Sequence, residues 1–87
     1  MKPYIEEIID ERVVIRTFSA DSDESEMKWH WDEEDRTIIP LSDNNWLFQF
    51  DNQLPVPINR EINIPAGVIH RTIKGDGELK VKIIKIK

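Results

Sequence analysis

Short runs of β-branched and aromatic residues, each closed within a few positions by turn chemistry, recur along almost the whole chain. RVVIRTF at 12–18, RTIIPL at 36–41, WLFQF at 46–50, INIP at 62–65, VIHRTI at 68–73 and LKVKIIKIK at 79–87 read as strands. SDNN, Asp51-Asn52, NRE and KGDG punctuate them, and KGDG carries a strong hairpin signal. LPVPI at 54–58 holds two prolines, which restricts it to an edge or a bulged strand. Only YIEEII at 4–9 leaves helix and strand both open, because Ile5, Ile8 and Ile9 fall at i, i+3, i+4 over too few residues to decide. No helix of ordinary length is required, and strands at short, even intervals predict an all-β sandwich or small barrel.

At 87 residues the chain is one domain, 1–87, with a small core and no room for a deep enclosed chamber. Two local patterns refine the core. MKWHWD at 27–32 alternates, so Met27, Trp29 and Trp31 are expected on the core side, with Lys28, His30 and Asp32 opposite. In WLFQF, Trp46, Phe48 and Phe50 are expected to fill the space between sheets and leave Gln49 outside; the alternative turns Gln49 into a pocket. The alternation of the last strand slips at Ile83-Ile84, which predicts a β-bulge or a change of face.

Charge excludes some partners. The net charge is −5 and the pI about 4.9, which argues against nucleic acid, whose phosphates need a basic footprint. Acid gathers in DSDESE at 21–26, read as a solvated loop, and in DEED at 32–35; base gathers in the last strand. Those lysines are expected on a solvated strand edge, where they would discourage edge pairing, or as an anion-binding strip. There is no cysteine, so disulfides, zinc–thiolate sites and thiol nucleophiles are excluded. The N-terminal residues have no signal-peptide pattern and no stretch approaches the ~18 apolar residues of a membrane span. The expectation is a cytoplasmic protein with no membrane partner.

The chain has two histidines. His30 and Asp32 are two apart, so on a strand they project from one face, near enough for a ring nitrogen and a carboxylate oxygen to share one ion. His70 ends PAGVIH, where the proline stops a strand and the glycine permits the turn that re-aims the chain. Two histidines and one carboxylate form the facial triad of non-haem Fe(II) sites, and zinc, manganese or nickel accept the same ligands. A hydrogen-bonded His–Asp pair, or an Arg36–Asp32 salt bridge without metal, is the structural alternative.

With these residues in view, the sequence resembles the cupins. P-x-G-x-x-H of the second cupin motif, G-x5-P-x-G-x-x-H-x3-N, is met by Pro65, Gly67 and His70, while Asn59 stands at its opening glycine and Lys74 at its final asparagine. In the first motif, G-x5-H-x-H-x3–4-E-x6-G, His30 matches the first histidine and Asp32 stands at the second. Arg36 or Thr37 occupies the glutamate position, depending on the gap, and Asn44 replaces the closing glycine. The resemblance covers about 28–87 and implies a small single-domain cupin: a double-stranded β-helix, or jelly-roll barrel. It implies one divalent metal, Fe(II) foremost, held by His30, Asp32 and His70 in place of the usual three histidines and a glutamate. Arg36, Gln49, Thr72 and Lys74 are the candidate substrate contacts: Arg36 for an anionic group, Thr72 and Lys74 because they share the face of His70. The implied function is a dioxygenase-type or related metalloenzyme acting on a small anionic substrate. The alternatives are a non-catalytic small-molecule or sugar-binding module, and a structural homodimer joined through its sheets. Arg71, pointing away from His70, is expected in a surface ion pair.

Overall fold

The computed structural model describes residues 4–21 and 27–86. Eight strands account for the regular structure of these residues, with no helix among them: β1 Tyr4–Ile8, β2 Val13–Phe18, β3 Asp35–Pro40, β4 Leu47–Phe50, β5 Val56–Pro57, β6 Ile62–Ile64, β7 His70–Ile73 and β8 Leu79–Ile86. They form two antiparallel sheets, one ordered β1-β2-β8-β3-β6 and the other β5-β4-β7. The open choice at 4–9 resolves as a strand, because β1 has a partner: Tyr4 to Ile8 pair with Phe18 to Val14. The acidic loop expected at 21–26 lies, beyond Asp21, outside the described residues.

The core lies between the sheets. Leu79, Val81 and Ile83 point inward from β8, Val14 from β2, Ile64 from β6 and Phe48 from β4, and Trp46 and Ile58 close the set. Trp46 is fully buried; its indole N–H donates to the Gly77 carbonyl at 3.1 Å, so the polar edge of the largest core side chain is satisfied. Burying a large apolar side chain contributes about 1.5–3 kcal/mol. In a chain this short, these eight residues supply much of the driving force.

Three expectations about the strands fail for physical reasons. KGDG does not close a hairpin: β7 and β8 belong to different sheets, so the turn carries the chain across the sandwich. Gly75 is needed there because a Cβ would fall 2.3 Å from Asn45 Oδ1, the same atom that accepts from the Asp76 amide at 2.7 Å. The lysines of the last strand do not line an edge, since β8 is the middle strand of its sheet; Lys80 and Lys82 sit on the outer face between inward Leu79, Val81 and Ile83. Nor does β8 bulge. Its pairing with β2 and β3 runs without a break from Leu79 to Ile86, and Ile83-Ile84 is two apolar residues on opposite faces, Ile84 half-buried on the outer one.

Candidate metal centre and cavity

The two histidines meet across one antiparallel bridge. The His30 amide donates to the His70 carbonyl at 3.0 Å and the His70 amide to the His30 carbonyl at 2.8 Å. Residues that exchange both backbone bonds stand directly opposite and project to the same side. Their rings lie 4.4 Å apart, edge to face.

The turn before His70 sets this register. The Val68 amide donates to Pro65 O at 3.3 Å and Gly67 has φ 77°, which is the glycine position of a type II turn. Two further bonds fasten the turn to the segment that carries Asp32. The Gly67 amide donates to Asp32 O at 2.9 Å, and the Ala66 amide to Asp35 Oδ1 at 2.7 Å. PAGVIH thus delivers His70 opposite His30 because its backbone is tied to the WHWDEED segment.

Both rings are held in the same way. His30 Nδ1 lies 2.8 Å from Lys28 O, and His70 Nδ1 lies 2.8 Å from Val68 O. A carbonyl only accepts, so Nδ1 carries the proton and, in the neutral ring, Nε2 keeps its lone pair. His70 is also dry. It is 3% exposed, its ring stacks on Phe48 at 5.4 Å, and Phe50 stands edge-on at 6.5 Å. Burial holds its pKa below the ordinary histidine value; His30 and Arg36 act in the same direction, against the Val68 carbonyl and Asp32.

Asp32 faces this pair. One oxygen lies 3.3 Å from His70 Nε2 and the other 3.5 Å from Arg36 Nη1. The Oδ2 that faces His70 is buried and has no hydrogen-bond donor. Oδ2 and the Nε2 that keeps its lone pair thus stand 3.3 Å apart with no hydrogen bond between them. Two ligands each about 2.1 Å from one ion stand about 3–3.5 Å apart when adjacent. Donor atoms of His30, Asp32 and His70 all lie within 4.8 Å of one another. These residues fit a divalent cation.

Around the cluster opens a cavity of about 340 Å³, lined at its polar end by His30, Asp32, Arg36, His70 and Thr72. Its walls are apolar, with Phe48, Ile64 and Ile83 among them. Arg36, not Thr37, is the residue that reaches it. Thr37 turns to the outer face, where its hydroxyl donates to Asn63 Oδ1 at 3.0 Å. Arg36 bridges Asp32 and Glu34, its Nη2 lying 3.2 Å from Glu34 Oε1, and its buried Nε has no partner. Desolvation pushes the Glu34 carboxyl up, but Arg36, by charge and by hydrogen bond, together with a backbone hydrogen bond and Lys85, holds the group below its ordinary value. Asp35, the residue before Arg36, is used by the turn instead.

Of the remaining candidates, Thr72 lines the cavity, while Gln49 and Lys74 are not among its lining residues. Gln49 lies on the outer face of β4, accepting from Arg71 Nε at 3.0 Å and donating to Gln53 O at 2.9 Å. Lys74 follows the last residue of β7, where strand alternation no longer governs its direction. Trp29 and Trp31 leave the core, at 43% and 57% exposed, whereas Met27 lines the cavity with His30 and Asp32. Only His30 of that segment is bridged, so period-two alternation does not extend across it. Arg71 forms no ion pair among the described residues; its guanidinium lies over the Trp29 ring at 4.5 Å. Sequence reasoning missed Arg16, which lines the cavity from β2. The signal was there, an arginine two residues from Val14 and two from Phe18, but VVI gives three apolar residues in a row and hides which face is inner.

No family model matches the chain, and no curated protein matches it. Solved structures do. A cupin domain from Bordetella pertussis aligns over 100% of this chain and 98% of its own, with 21% identity and TM-score 0.63. An RmlC-like cupin family protein with a double-stranded β-helix fold from Methanocaldococcus jannaschii aligns over 98% of this chain and 81% of its own, with 15% identity and TM-score 0.67. The fold is that of the cupins. A third cupin-like neighbour, HppE in its Fe(II) form, shares 14% identity over 85% of this chain and 41% of its own, with TM-score 0.63. At these identities the likeness speaks for the double-stranded β-helix alone. No helix of the described residues is long and apolar enough to cross a membrane.

Proposed function

We propose that the chain binds one divalent metal ion through Nε2 of His30, Nε2 of His70 and a carboxylate oxygen of Asp32, beside a pocket for a small anionic ligand. The observation that carries this reading is the buried, donorless Oδ2 of Asp32, 3.3 Å from His70 Nε2 with no hydrogen bond between them. A cation between them turns a repulsive arrangement into a ligating one. A 2-His-1-carboxylate set leaves coordination positions open. An ion held there supplies a Lewis acid or a centre for dioxygen chemistry. Iron is the first choice, supported by the donor set and by the Fe(II) form of HppE; manganese, zinc and nickel accept the same ligands.

The protein's part is positioning. The Lys28 and Val68 carbonyls fix both rings with Nε2 available, the outer-shell arrangement that orients ligating histidines. Arg36 holds the second oxygen of Asp32. Phe48 and Phe50 exclude water from His70, and Thr72 offers a hydroxyl to whatever occupies the cavity. The test is calorimetric titration of chelator-stripped protein with Mn(II), Fe(II) and Zn(II), beside Asp32→Asn. One-to-one binding that weakens at least about tenfold in the variant supports the site. Equal affinity in both proteins refutes it.

A further inference from the structure

The cavity holds a second arginine, and it is the one with donors to spare. Arg36 is committed: Nη1 faces Asp32 and Nη2 faces Glu34, so both ends of its fork already meet a carboxylate. Arg16 is differently placed. Its Nε donates to Glu6 Oε1 at 3.3 Å and its guanidinium lies over the Tyr4 ring at 4.3 Å, so the group is held at two points. Neither of its terminal nitrogens has a hydrogen-bond partner among the described residues. An inward arginine on a core-facing strand position costs desolvation, and a pair with Glu6 alone would form as well on the outer face of the same two strands.

Around Arg16 the cavity wall is apolar, with Phe18, Met27, Leu79 and Val81 contributing. At about 340 Å³ the space lies at the small end of ligand pockets. We infer that Arg16 is the anion anchor of this cavity, and that the ligand is a small organic monocarboxylate with an apolar body. Its carboxylate takes the two terminal N–H groups of Arg16, a planar pair suited to two parallel bonds. The apolar body fills the space between, and the far end approaches the histidine–aspartate cluster. The last element rests on the metal reading; the Arg16 contact does not.

The experiment separates the two. The chain, loaded with diamagnetic Zn(II) and again in excess chelator, is titrated with 3-phenylpropionate and with its uncharged amide, followed by protein amide-proton NMR shifts. Arg16→Gln, which keeps a donor for Glu6, is measured alongside, with a thermal melt and metal titration as controls. The expected result is that wild type prefers the acid by about tenfold or more, and that Arg16→Gln loses this preference while still taking up metal. Acid preference that persists in chelator, in a protein that binds no metal, supports the anchor and sinks the metal reading. Equal binding of acid and amide by wild type, no binding of either, or an undiminished preference in the folded variant overturns the proposal. If Arg16→Gln does not fold, the wild-type comparison, with shifts mapped to the β2 amides of Ile15 to Thr17, decides it: perturbation confined to other strands overturns the anchor.

Discussion

His30 and His70 are opposite halves of one bridge, with the same ring tether and the same free nitrogen, yet they live in different solvents. His70 belongs to a strand with a full ladder to β4, is 3% exposed and lies against Phe48 and Phe50. His30 belongs to a segment with one bridge, its ring is exposed, and its tryptophan neighbours point to water. One histidine is thus a core residue as well as a member of the cluster, while its partner belongs to the cluster alone. The buried histidine shapes the pocket; the exposed one leaves the cluster open to solvent.

The comparison breaks most directly at stability. His70→Ala removes a buried aromatic ring and is expected to destabilise the metal-free protein by about 3 kcal/mol in urea unfolding, whereas His30→Ala costs less than about 1 kcal/mol. Equal costs would mean that the two rings do not differ as described. Next in size is Gly67→Ala. No atom lies within 4 Å of the added Cβ, so the cost is backbone strain at φ 77°, about 1–2 kcal/mol. Because this turn aims His70, metal affinity should fall with it; stability loss at unchanged affinity would detach the turn from the site.

Acid titration sharpens the contrast further. The folded-state pKa of His70 is depressed, so its neutral form contributes stability that is complete above the unfolded value of about 6.5 and is lost as pH falls below it. Chelator-treated protein should therefore weaken between neutrality and mildly acidic pH, and His70→Gln should flatten that slope. A slope unchanged in His70→Gln would assign it to other groups. The smallest effect is expected at Trp29, whose exposed ring carries Arg71. Trp29→Ala should cost about 0.5–1 kcal/mol and leave metal binding untouched. Loss of metal there would make the outer face part of the site.

The architecture was legible in the sequence because turns and β-branched runs are local signals, and they returned strands at 12–18, 36–41, 46–50 and 68–73 close to where β2, β3, β4 and β7 lie. The meeting of His30, Asp32 and His70 was legible for a related reason: with only two histidines and one P-x-G-x-x-H turn, few pairings were available. What stayed hidden depended on long-range partners. Alternation placed Trp29 and Trp31 inside because it assumes a continuous strand, and a single bridge does not impose one. The lysines of the last strand suggested an edge because charge on a strand reports solvent on one face and says nothing of which neighbours flank it. KGDG has hairpin chemistry, yet Asn45 and Trp46, just before β4, hold that turn while the chain passes on to β8 in the other sheet. Arg16 escaped notice because its inward direction is set by the pairing of β2 with β1 and β8, not by its own neighbours in sequence.

Metal analysis decides whether the two histidines and Asp32 meet on one ion. Protein reconstituted anaerobically with Fe(II), freed of excess ion and analysed by mass spectrometry would be compared with His30→Ala and His70→Ala. One equivalent is expected in wild type and none in either variant, including the His30 variant, whose fold should be barely disturbed. Wild type without metal, or an equivalent retained in His30→Ala, would contradict a shared site.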